Sequence, residues 1–162
     1  MNDYLKNLNK LETNRIVSEI LAQAKELRTP IVQSEALNLN IQLIRIGQVK
    51  QVLEIGSAIG YSAIMMALGT EASITTIERD ESSYLLAKEN IHKAGLESRI
   101  NLILGDALIY EPDEDYRCDL LFIDAAKASY IAFFEKYQPY LGSKGIVVCD
   151  NLLFHGLVND ES

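Results

Sequence analysis

The sequence predicts an α/β fold, a parallel sheet flanked by helices, and three observations carry that prediction. Strand-like apolar runs alternate with segments of helical periodicity, the runs are almost continuously apolar, and each ends on its C-terminal side in a polar residue. Parallel strands need a crossover to return, so the alternation implies right-handed βαβ units. Continuous apolarity implies burial on both faces of the sheet. The C-terminal strand ends of an open sheet form one edge, and ligands bind along it.

Two helices precede the first strand. Over residues 3 to 27, Leu5, Leu8, Leu11, Ile16, Val17, Ile20, Leu21 and Ala24 recur at three- and four-residue spacing, and Pro30 closes the segment. Ser34 is a candidate cap for a second helix with Leu37, Leu39, Ile41, Leu43, Ile44 and Ile46 facing neighbours, and Gly47 ends it. The alternation then runs QVLEIG, YSAIMMAL; SITTIE, SSYLLAKENIHKA; INLILGD; DLLFID, ASYIAFFEKYQPYL; GIVVCD. No repeat or linker interrupts it, so residues 1–162 read as a single domain, with residues 1–48 as its N-terminal helices and 49–162 as its core.

Composition narrows the function classes. With 48% hydrophobic and 23% charged residues the chain matches ordinary globular proteins. No apolar run is long enough to cross a bilayer and MNDYLKNLNKLETNR lacks the apolar centre of a secretion signal, so a cytoplasmic protein without membrane partners is expected. A net charge of −8 disfavours nonspecific attraction to nucleic acid. Cys118 and Cys149 read as two separate buried residues. His92 falls on the polar side of a helix, and no partner marks His155 as a ligand.

The strand ends carry the chemistry. In EIGSAIG, Glu54 is followed by Gly56, Ser57 and Gly60, a GxxxG spacing without the middle glycine of a dinucleotide loop. A ligand without pyrophosphate suits it. Glu78 ends the second strand, where an acid accepts hydrogen bonds from both ribose hydroxyls. Asp106 and Ala107, in GDA, offer a carboxylate and a backbone N–H suited to adenine. Together these point to S-adenosylmethionine. Each has a plainer reading: a structural turn, a solvated strand end, a turn cap. Asp124, Asp150 and Asn151 supply three hard oxygen donors, a set suited to Mg²⁺ or Mn²⁺, with helix capping as the plainer alternative for the aspartates. Lys127 is placed to accept the proton of a hydroxyl that attacks an electrophilic methyl group.

With VLEIGSAIGYSA, TTIERDE, LGDAL, FIDAAKASY and CDNLLFHG, the chain resembles the cation-dependent O-methyltransferases, which include the catechol and caffeoyl-CoA enzymes. The pattern is most similar to bacterial tRNA 5-hydroxyuridine methyltransferases, from about Pro30 to Val158. The resemblance implies a Rossmann-like class I methyltransferase fold. It also implies cofactor contacts at Val32, Ser62, Glu78, Asp106 and Ala107, metal ligands at Asp124, Asp150 and Asn151 with Asp124 near the methyl donor, and Lys127 as base. It implies a further helix and an antiparallel strand pair beyond NDES, so the fifth strand is expected at a sheet edge. The expected partner is tRNA or a small phenolic acceptor, and the N-terminal helix suits a homodimer. An NAD-dependent dehydrogenase and a non-catalytic cofactor-binding module are the rival readings.

Overall fold

The structure is a computed structural model that describes residues 14–125 and 127–150, with the Lys127 side chain outside that description. Helix α1 (Arg15–Leu27) starts where the Asn14 carboxamide accepts from the Ile16 N–H. The cap begins α1 at Arg15, later than the residue 3 expected from spacing, and residues 1–13 lie outside the described residues. Arg28, in the left-handed region, ends it ahead of Pro30. Helix α2 (Ser34–Ile46) differs from expectation at its start and on one face: Gln33 is the cap and makes no side-chain capping bond, Ser34 is already helical and its hydroxyl donates to Glu35, and Leu39 and Ile46, expected to face neighbours, are exposed while Leu37, Ile41 and Ile44 are buried.

The core alternates as expected: β1 (Gln51–Ile55), α3 (Tyr61–Gly69), β2 (Ser73–Glu78), α4 (Glu81–Lys93), β3 (Ile100–Leu104), β4 (Cys118–Ile123), α5 (Tyr130–Tyr137) and β5 (Leu141–Cys149). A 3₁₀ turn, Lys127–Ser129, leads into α5, and a second, Gln138–Tyr140, follows it. The single helix expected over 128–141 is therefore shorter. Pro139 has no N–H to continue the ladder, and the chain turns directly into β5 at Leu141.

All five strands are parallel in the order β3-β2-β1-β4-β5. The chain runs outward from β1 to β3, then returns to place β4 on the other side of β1. That reversal opens a crevice at the C-terminal ends of β1 and β4, which is where such sheets hold ligands. Side chains alternate across the sheet. Val52, Leu120 and Phe122 pack with α1 to α4 on one face, whereas Leu53, Ile55, Leu121 and Ile123 pack with Tyr130, Phe133 and Tyr137 of α5 on the other. No helix among the described residues is long and apolar enough to cross a membrane.

Candidate active site

The crevice is a cavity of about 430 Å³, within the range of small-molecule sites. The ends of β1, β2, β3 and β4 contribute to it, together with α5 and the Pro30 to Val32 segment between α1 and α2. Of the residues expected to meet a cofactor, Val32, Gly56, Ser57, Ser62, Glu78, Asp106, Ala107 and Asp124 all line it.

Its floor is a close contact between two strand ends. The Asp124 N–H donates to the Ile55 carbonyl at 3.0 Å. Gly56 follows at φ +93°, and a Cβ there would stand 2.3 Å from the Asp124 carbonyl oxygen. Only glycine meets both demands. The Ser57 hydroxyl is buried against the cavity with no hydrogen bond among the described residues. A buried hydroxyl normally has a partner, so this orphan is what a site shaped for a polar ligand leaves open.

The acids at the ends of β2 and β3 are held by backbone amides. Glu78 accepts from the N–H of Ala58 and of Asp80, each at 2.8 Å, so its carboxylate is locked toward the glycine loop. Asp106 accepts from the Leu108 N–H at 2.8 Å, the turn cap that was its plainer reading, while also lining the cavity. The Tyr137 hydroxyl donates to the Ala107 carbonyl at 2.7 Å and fixes this loop against α5.

Two expected contacts are misplaced. Glu54 is fully buried and does not line the cavity. It shares the sheet face of Val52, beneath α3, and accepts from the Thr76 hydroxyl at 2.5 Å. Burial pushes its carboxyl up to about 7, against the Ser62 and Thr76 hydroxyls that favour the ionised form. Gly60 is also off the lining: a Cβ there would lie 3.3 Å from Ala87, so this glycine lets the start of α3 approach α4.

The proposed metal corner is described in part. Asp124 and Asp150 end adjacent strands, and the Asp150 N–H donates to the Ile123 carbonyl at 3.1 Å. Asn151, His155 and the Lys127 side chain lie outside the described residues. Among those described, no group of three or more His, Cys, Asp or Glu side chains is close enough to hold a metal, and the expected set does not need one, since its third donor is an asparagine. Two hard carboxylates at neighbouring strand ends fit an oxygen-preferring divalent cation. Cys118 is buried as expected, Cys149 on the edge strand β5 is only half-buried, neither is in a disulfide, and His92 is exposed beside Glu97.

Sequence reasoning missed Tyr130 and Phe133, which line the cavity from α5. Their spacing reads as a core stripe, and nothing in it signals that the stripe continues into a crevice.

The O-methyltransferase family profile matches residues 2–162. The chain belongs to the O-methyltransferase family. A Staphylococcus aureus structure, proposed in its own name to be a caffeoyl-CoA O-methyltransferase, superposes with a TM-score of 0.87 at 42% identity, covering 98% of this chain and 76% of that one. The Streptomyces achromogenes O-methyltransferase of tomaymycin synthesis, solved with S-adenosylmethionine, gives 0.81 at 25% identity, covering 92% and 70%. A catechol O-methyltransferase from Niastella koreensis is 33% identical over 136 residues, 80% of this chain and 60% of its own length. The fold is thus the Rossmann-like methyltransferase fold. The chain spans about 60% of the length of the curated relatives it matches.

Proposed function

We propose that the protein takes S-adenosylmethionine into the β1–β4 crevice and, with a divalent cation, methylates a hydroxyl oxygen. The observation that carries this reading is the convergence on one cavity of Glu78, Asp106, Asp124 and the orphaned Ser57 hydroxyl around the Gly56 loop. Glu78 would accept the ribose hydroxyls with the lone pairs its two amides leave, and Asp106 the adenine amino group. Asp124 would lie near the positively charged sulfur, where a carboxylate stabilises the bound ligand. Relatives solved with S-adenosylmethionine or its demethylated product support the choice of cofactor.

When bound, the cofactor supplies an electrophilic methyl group and a Mg²⁺ or Mn²⁺ ion supplies Lewis acidity that makes a nearby hydroxyl easier to deprotonate. Asp124, Asp150 and Asn151 would hold the cation. Lys127, as the neutral amine, would take the proton from the acceptor hydroxyl as the oxygen bonds to the methyl carbon and the methyl–sulfur bond breaks, its electron pair staying on the sulfur of the departing S-adenosylhomocysteine; the chain's contribution is then mainly alignment and charge.

For the acceptor we favour the 5-hydroxyl of a wobble uridine in tRNA, on the strength of the EIGSAIGYSA and FIDAAK motifs. A second reading, a small catechol-like phenol, is favoured by the catechol O-methyltransferase relative and by the net charge of −8. Both acceptors present neighbouring oxygens. Transfer of labelled methyl from S-adenosylmethionine should be compared on tRNA bearing 5-hydroxyuridine and on catechols, with Mg²⁺ and with a chelator. We expect chelator-sensitive labelling of the tRNA. Labelling of the phenol alone would reject the nucleic-acid acceptor, and labelling indifferent to chelation would reject the cation.

A further inference from the structure

Asp124 and Asp150 end neighbouring strands, so the distance between their carboxylates depends on how β5 is joined to β4. Among the described residues β5 is an edge strand paired with β4 alone; its register shifts near the start, where Cys118 faces Leu141 but Leu120 faces Ile146, and then runs regularly until Ile123 faces Cys149. Asp150 lies one residue past that last pair, on the side of the crevice, and two bonds there set its placement against β4 and α5. One is its N–H to the Ile123 carbonyl, and the other is the Tyr130 hydroxyl, which donates to the Asp150 carbonyl at 2.9 Å.

Tyr130 is well placed for this. It is the first residue of α5, 8% exposed, and its ring packs in the apolar cluster with Phe133 and Tyr137. A phenylalanine would satisfy that packing, so the hydroxyl calls for a separate explanation. The backbone amide of Ala125, at the end of β4, faces the same oxygen.

We propose that Tyr130 is a positioning residue for the divalent cation: its hydroxyl links the end of β4 and the start of α5 to the Asp150 carbonyl and thereby sets the Asp150 carboxylate against that of Asp124. The inference rests on the reading that these two carboxylates hold the ion. Groups that orient metal ligands from behind commonly cost 10–100-fold in metal affinity when removed, a range of about that size being expected here.

The test is Mn²⁺ binding, followed by the electron paramagnetic resonance of the free ion in the presence of S-adenosylhomocysteine, on the wild-type protein, Tyr130→Phe and Asp150→Asn. Calorimetry of S-adenosylhomocysteine without metal and thermal melting accompany it. Tyr130→Phe should weaken Mn²⁺ binding roughly tenfold or more, a loss well beyond any change it makes in the metal-free affinity for S-adenosylhomocysteine. Wild-type Mn²⁺ affinity in Tyr130→Phe, with binding lost in Asp150→Asn, overturns the role of Tyr130 and leaves the cation reading intact. A parallel loss of cofactor affinity and melting temperature also overturns it, since the hydroxyl would then be supporting the fold in general. No Mn²⁺ binding by the wild-type protein, or undiminished binding by Asp150→Asn, removes the cation reading and this inference together.

Discussion

Glu54 shows how far one residue's position can depart from its appearance in sequence. It sits two residues before the Gly56 loop and resembles a ligand contact, yet strand alternation puts it on the Val52 face under α3. The parity of the strand was legible, because Val52 is apolar and residues two apart share a face. Its burial has a measurable consequence. The folded protein holds the Glu54 proton up to about pH 7, whereas an unperturbed glutamate releases it near 4.5. Between those values the unfolded chain binds fewer protons than the folded one, so stability falls as pH rises through the window and stays lower above it. Glu54→Gln removes the titrating group while keeping an acceptor for Thr76. In urea unfolding at pH 5 and pH 8, the wild-type protein should lose on the order of 3 kcal/mol relative to the variant. Parallel pH profiles for the two proteins would show that Glu54 is not titrating in this range.

At the level of elements, the β1-to-α3 turn and the end of β4 form one unit. Gly56 admits the Asp124 carbonyl where any side chain would collide with backbone, and Glu78 secures the next turn through the Ala58 amide. Gly56→Ala combines a left-handed φ with a backbone clash, and we expect a loss of roughly 3 kcal/mol or more in unfolding free energy. Cofactor affinity should also fall, because Asp124 must move. A variant with wild-type stability would mean that the two strand ends are further apart than the structure places them.

The existence and order of these elements could be read from continuous apolar runs, since a strand buried on both faces has few other ways to look. Their ends were harder. The Asn14 cap and the Pro139 break are local hydrogen-bond events that periodicity does not encode, and the early start of β5 at Leu141 depends on pairing with Cys118 across the sheet.

For the whole molecule, the strand reversal between β1 and β4 gathers at one crevice residues that are up to about a hundred positions apart, from Val32 to Phe133. Most of the cavity's polar residues were legible because strand ends share an edge, whereas its α5 wall was not, because Tyr130 and Phe133 have the spacing of core residues. The net charge of −8 places the burden of any tRNA recognition on local contacts, since phosphate affinity depends on clustered lysines and arginines. If this crevice is an S-adenosylmethionine site with Glu78 as its ribose acceptor, calorimetric titration of S-adenosylhomocysteine into the wild-type protein and Glu78→Ala must separate the two proteins. We expect saturable binding of one molecule per chain and a loss of about tenfold or more in the variant, the scale of removing a charged hydrogen-bond partner. Equal affinity in the two proteins, or no heat of binding from the wild-type protein up to the solubility of the ligand, would contradict it.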